Sequence, residues 1–139
     1  MESINILLDE GSDSTLVRDG LLRDLGIEGE PHGLNIQGVA RVETRFSSQR
    51  VRLKLLDGEG GQIEISASSL PKVCSSVPKV AWEKVKRKWS NLDDLPLKET
   101  GGRIDLLLGL DHASLLIPTD YRIKLNAFKG AQNFSVSAH

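Results

Sequence analysis

The chain has 139 residues, 39% of them hydrophobic, with 18 lysines and arginines against 19 aspartates and glutamates. That length holds one globular domain with an aliphatic core and falls short of two ordinary ones, and the near balance of charge excludes a global attraction to nucleic acid or to a membrane surface. A single cysteine, Cys74, excludes an internal disulfide, and no apolar run is long enough for a signal or a membrane span, so the expected setting is the cytoplasm.

Met1 and Glu2 lead at once into an apolar run, which reads as the start of a segment excised from a longer protein. Residues 4–8 are a continuous aliphatic stretch closed by a turn signal at Gly11, predicting a strand covered on both faces. That strand runs straight into Asp9. An ionised carboxylate costs several kcal/mol to bury unless it is paired or shares a proton, so Asp9 needs either a chemical role or a bland one as a helix cap. Leu16, Val17, Leu21, Leu22 and Leu25 recur at threes and fours, predicting a helix over 16–25 with Ser14 or Thr15 capping its start and Gly26 its end.

From Pro31 the pattern becomes β-like, with short stretches at 33–37, 41–46, 50–56 and 62–68. Polar and apolar residues alternate strictly from Arg50 to Leu55, the period of a sheet with one wet face. The turn chemistry of Asp57-Gly58-Glu59-Gly60-Gly61 predicts a hairpin into Ile63 and Ile65. A second hairpin tip is expected at Gly38-Val39-Ala40, where the glycine permits conformations that its β-branched neighbour resists.

Residues 69–100, with Leu70-Pro71, Val77-Pro78 and Leu95-Pro96, read as an insertion. Inside it Trp82, Val85 and Trp89 predict an amphipathic helix over 80–89. Its basic run, Lys84, Lys86, Arg87 and Lys88, reads as the wet face of a helix whose tryptophans sit in the core, in preference to a nucleic-acid patch. Residues 104–108 form a second aliphatic strand, stopped by Gly109 and followed by a short helix at 111–116 that Pro118 ends. Phe134, Val136 and Ala138 alternate as a last strand. Elsewhere the chemistry is sparse. His32, His112 and His139 are scattered, Ser12 lacks the setting of a serine nucleophile, and Asp57 with Glu59 falls short of a cation loop, so neither a metal nor a cofactor is expected. Cys74 reads as a packed thiol.

Leu7-Leu8-Asp9-Glu10-Gly11-Ser12, a helix ending in Leu25-Gly26, a glycine at a hairpin tip and Leu106-Leu107-Leu108-Gly109-Leu110-Asp111 together resemble the retropepsin-like aspartic proteases. Within them the sequence is most similar to the protease domain of BEL/Pao long-terminal-repeat retrotransposon polyproteins, which carry a comparable Leu-Pro segment before the second aliphatic-Gly strand. The resemblance implies a mainly β, closed-barrel fold with two or three short helices, a single domain over 3–138. It also implies a homodimer that cleaves a peptide or polyprotein substrate, in the cytoplasm or inside a virus-like particle, with no nucleic-acid or membrane partner for this domain. By that match Asp9 is the catalytic aspartate, Gly11 and Asp13 contact substrate, and Gly38, Val39 and Ala40 form the flap that closes over it. Gly109 to Asp111 support the loop from behind.

Physical chemistry leads to the same need for two chains. Hydrolysis by carboxylates requires one ionised and one protonated acid, a state that two aspartates about 3 Å apart adopt by sharing a proton. This chain offers one Asp-x-Gly loop, so the second comes from another copy across a two-fold axis. Glu10 departs from the family, which places Thr or Ser there. Two copies of Glu10 beside two of Asp9 would set four carboxyls near one axis, where charges 4 Å apart repel by about 4 kcal/mol at an effective dielectric of 20. Glu10 is therefore expected at the dimer interface, and the alternative function is a weakly active or inactive interaction module.

Overall fold

Leu106, Leu107 and Leu108 are all buried, and they alternate between two aliphatic clusters. Leu106 and Leu108 join Val17, Leu21, Leu22, Val51, Leu53 and Ile65. Leu107 turns the other way, to Leu16 and Leu70. A strand apolar on both faces belongs in the middle of a layer, and the first part of the fold is arranged around this one. The computed structural model describes residues 3–56, 60–97, 99–118, 120–127 and 130–137. It divides into two compact units, Met1–Ser76 with Arg103–Leu116 and Val77–Gly102 with Ile117–His139.

The strands of the first unit are β1 (Ile6–Leu8), β2 (Leu16–Arg18), β3 (Glu30–Gln37), β4 (Glu43–Leu56) and β5 (Gln62–Leu70). The second unit contributes β6 (Val77–Val80) and β7 (Thr100–Gly102), and the central leucine strand of the first is β8 (Leu106–Leu108). The chain is mainly β, as expected. Six strands form one mixed sheet in the order β1-β8-β2-β5-β4-β3. The expected closed barrel is not formed among the described residues: β1 and β3 are the sheet's two edges and pair only inward. The cause is visible in the register. β1 supplies just three residues, and β3 lies along residues 43–50 of β4 whereas β5 takes 50–56.

Other local expectations give way to tertiary pairing. Residues 16–18 are a strand where a helix was predicted, because Leu16 and Val17 find hydrogen-bonding partners in β8 on one side and β5 on the other. Helix α1 is confined to Asp19–Leu25, and Arg18, not Ser14 or Thr15, stands at its N-terminus. Gly26 does end it, in the left-handed conformation with φ 65°. β1 is not covered on both faces, since at the sheet edge Ile6 and Leu8 are exposed. The alternation in β4 holds, with Val51 and Leu53 buried and Arg50, Arg52 and Lys54 exposed. The β4–β5 hairpin forms with Leu56 opposite Gln62, and Asp57, Gly58 and Glu59 lie outside the described residues.

Ser69 and Leu70, expected to open the insertion, complete β5. In the second unit β6 and β7 pair antiparallel, and α2 (Trp82–Lys88) is shorter than predicted. None of its residues is buried, and Trp82 and Trp89 are only partly covered, so the tryptophans are not core residues. Trp82 Nε1 donates to Thr100 Oγ1 at 3.1 Å, and Lys86 Nζ to the Leu95 carbonyl at 2.5 Å. The tail holds two strands instead of one, β9 (Asp120–Ala127) and β10 (Gly130–Ser137), paired antiparallel; Ala138 lies outside the described residues. Among the described residues no helix is long and apolar enough to cross a membrane.

One polar contact ties the sheet edge to the core. Arg18 places Nε and Nη2 at 3.0 and 2.9 Å from Asp105 Oδ1, with side chains 13% and 9% exposed. The other carboxylate oxygen accepts the Asn5 N–H at 3.2 Å. The guanidinium passes over Gly20, where any side chain would collide with it. Because removing one partner strands a buried charge, Asp105→Ala is expected to cost about 3–5 kcal/mol, whereas an apolar double replacement of Arg18 and Asp105 loses far less; urea unfolding of the two variants measures the difference.

Candidate active site

β1 runs parallel to β8 and β2 antiparallel to it, so the chain leaves β1 and enters β2 at the same end of β8. The loop from Asp9 to Thr15 therefore straddles the end of β8, and the chain continuing from β8 threads beneath it. Each step of that passage is hydrogen-bonded. The Asp9 N–H donates to the Leu108 carbonyl at 3.0 Å, and the Leu110 N–H to the Ser12 carbonyl at 2.8 Å. Between them the Gly109 N–H donates to Thr15 Oγ1 at 3.0 Å. A Cβ at position 109 would lie 2.5 Å from the Ser14 carbonyl oxygen and 2.8 Å from that of Ser12, so only glycine fits there. Thr15, 1% exposed, donates its hydroxyl to Asp111 Oδ1 at 2.6 Å and its N–H to Asp111 Oδ2 at 3.0 Å. One carboxylate thus closes the base of the loop.

On this base Asp9 is half-buried, and its Oδ1 accepts the Gly11 N–H at 2.9 Å. A Cβ on Gly11 would stand 3.1 Å from that same oxygen, so glycine both donates to the carboxylate and leaves it uncrowded. Glu10 and Gly11 are exposed at the turn, with exposed Leu8 and Leu110 beside them in the sequence of the two crossing segments. Asp13 caps no helix; its Oδ1 accepts the Ser14 hydroxyl at 3.1 Å.

A cavity of about 500 Å³ opens beside the loop. Gly11, Ser12, Asp13, Ser14 and Leu16 line it from one side, and Leu34 to Gln37 of β3 with Glu43 of β4 from the other. Asp9 is not among its lining residues. Gly38, Val39 and Ala40 sit at the tip of the β3–β4 hairpin, which the Gly38 N–H closes onto the Val42 carbonyl at 3.0 Å. The conformational assignment at this tip is corrected: Gly38 is extended, with φ −92°, and Ala40 and Arg41 carry the left-handed backbone at φ 67° and 59°. A non-glycine residue there costs of order 1–2 kcal/mol.

The structure thus gathers Asp9, Glu10, Gly11 and Asp13 into one loop, brings Gly11 and Asp13 to one cavity with the base of the hairpin, and leaves Gly38 and Ala40 outside its lining. Thr15 was read from sequence as a cap, and its bond to Asp111 has no local signal, the two lying 96 positions apart. Among the described residues no group of three His, Cys, Asp or Glu side chains is placed to hold a metal ion.

Compared with protein families, with curated proteins and with solved structures, the chain matches none.

Thr15→Val keeps the shape but orphans the Gly109 N–H and one Asp111 oxygen, and is expected to lower stability by about 1–3 kcal/mol in urea unfolding. Gly109→Ala should cost more, because the obstruction is backbone on both sides.

Proposed function

We propose that the chain is an aspartic endopeptidase of the retropepsin type, working as a homodimer in which each copy contributes one Asp9. The observation that carries this reading is the loop itself. A half-buried aspartate accepts the N–H of a glycine two residues on, in a turn held from below by Thr15, Gly109 and Asp111 and set beside a cavity that a β-hairpin borders. The exposure of Glu10, Leu8 and Leu110 fits a loop whose outer surface meets a second copy.

In the dimer one Asp9 carboxylate takes a proton from water as the water oxygen bonds to the scissile carbonyl carbon. The other, protonated, gives its proton to the carbonyl oxygen, forming a tetrahedral diol. Collapse of the diol breaks the C–N bond as the amine leaves with a proton returned through the dyad. The two roles interchange by symmetry. The hairpin tip would close over the bound peptide and exclude water. The retrotransposon-polyprotein source of the substrate rests on the sequence resemblance alone.

Asp9→Asn is expected to lower cleavage of polyprotein-derived peptides at mildly acidic pH by at least about a hundredfold without unfolding the chain. Peptides left intact by a folded, wild-type dimer from about pH 4 to 7 would favour the interaction-module reading instead. Glu10→Thr should tighten the dimer at neutral pH by removing like charge from the axis. Sedimentation that finds the same dimer affinity in both proteins would refute the axial placement of Glu10.

A further inference from the structure

From sequence the basic run of α2 reads as the wet face of a helix whose tryptophans are core, and the structure removes that ground, since none of the helix's residues is buried. Glu83, Lys84, Arg87 and Lys88 are exposed, while Trp82, Val85, Lys86 and Trp89 are partly covered. At 3.6 residues per turn Lys84, Arg87 and Lys88 share about 100° of arc, facing away from Trp82 and Val85. Other cations of the same unit are engaged: Lys79 pairs with Glu99 at 3.3 Å, and Lys86 Nζ donates to the Leu95 carbonyl. Lys84, Arg87 and Lys88 have no ion pair among the described residues, although Glu83 stands four positions before Arg87. Like charges three and four apart work against a helix. The negative end of the helix dipole offsets this for Arg87 and Lys88, but Lys84 lies a turn earlier. The whole unit has the same sign, with nine lysines and arginines against five acids, a net +4, whereas the unit of the Asp9 loop carries nine against fourteen, a net −5. An indole stands at the end of the cationic arc. The Trp89 N–H donates to the Val85 and Lys86 carbonyls at 3.0 and 3.1 Å, and Lys88 Nζ lies over the Trp89 ring, 5.8 Å from its centroid.

We propose that the unit of α2 binds a single-stranded nucleic acid, with Lys84, Arg87 and Lys88 on its phosphates and a base stacked on Trp89. Cations that track a phosphate backbone beside an aromatic ring that takes any base by its face are the two parts such binding needs. Lys88 exchanges the ring for a phosphate, and the base takes its place. Other polyanions use only half of this surface. An acidic peptide would engage the cations and leave the ring idle, and a duplex keeps its bases stacked on one another. A lipid surface needs an apolar helix face to bury, and that of α2 is taken up within its own unit, where Trp82 Nε1 donates to Thr100 Oγ1. The inference goes beyond the endopeptidase reading and stands whether or not Asp9 cleaves a peptide.

Both tryptophans of the chain lie in this unit, so intrinsic fluorescence reports on it directly. The full chain, titrated with oligouridine and with oligothymidine of about 12 nucleotides, is expected to lose tryptophan fluorescence on binding, and the loss should persist in Trp82→Phe, where Trp89 is the sole indole. Three phosphate contacts set an affinity that falls about twentyfold between roughly 50 and 200 mM salt. Lys84→Gln, Arg87→Gln and Lys88→Gln combined should weaken binding at least about tenfold at the lower salt, flatten the salt dependence and leave the urea midpoint unchanged. Arg52→Gln with Lys54→Gln, which neutralises exposed cations of β4 in the other unit, should leave the binding as it was. Binding of either oligonucleotide meets the proposal, and the difference between them tells whether a 2′-hydroxyl is read. No binding at the lower salt, affinity that survives the triple substitution, or binding without quenching in Trp82→Phe overturns it. Equal affinity for a duplex of the same length, for polyglutamate or for vesicles of anionic phospholipid does so as well.

Discussion

Two backbones cross where Gly109 passes beneath the carbonyls of Ser12 and Ser14, and the first unit depends on that crossing. For a segment to run under a loop at such range, its own polar groups must be met by the loop's. They are: the N–H groups of Asp9, Gly109 and Leu110 all find acceptors across the passage. Buried amides left unmet would each cost a kcal/mol or more, so loop and β8 order one another. Asp9 inherits its position from this. Its carboxylate is set by a backbone fixed at Leu108 on one side and Thr15 on the other, and needs no support from the side of a ligand.

What the amino-acid order disclosed was governed by whether the deciding partner was near or far in the chain. Alternation in β4, the glycine stop of α1 and the unbroken leucines of β8 are local patterns, and each formed as read. Residues 16–18 went the other way. Their spacing fits a helix, but the 3-residue strand they form is held by β5 and β8, some fifty and ninety positions distant. Thr15 and Asp111 show the same limit in side-chain chemistry: a threonine before an apolar run reads as a cap until a distant carboxylate claims it. At the hairpin tip the glycine was a reasonable place to expect an unusual backbone, yet Ala40 and Arg41 adopt it. The open sheet also follows from distance, since closure would demand a strand between β1 and β3 and the described chain supplies none there.

Summed over the chain the charge is nearly zero, and that figure conceals a division. The acids concentrate in the unit that holds the Asp9 loop and the bases in the unit that holds α2, where Lys84, Arg87 and Lys88 are exposed. Net charge taken over a whole sequence averages out this division, which follows two compact units: residues 77–102, most of the stretch read as an insertion, join the tail from Ile117, a pairing the sequence does not mark.

Strand β4 changes partners at Arg50, which stands opposite Glu30 in β3 and opposite Ser68 in β5. Beyond that residue toward the tip, β3 and β4 form a two-stranded ribbon. On the other side residues 51–56 of β4 pair with β5 alone. Just past the exchange, Ser48 Oγ donates to the Ser69 carbonyl at 2.8 Å and the Gln49 N–H to Ser69 Oγ at 3.0 Å, pinning the root of the ribbon. The hairpin is thus a cantilever, clamped at Ser48 and Gln49 and carried by a strand continuous with the core. Bending of its outer part leaves the core ladder untouched, while a shift of register in the core would carry the tip with it.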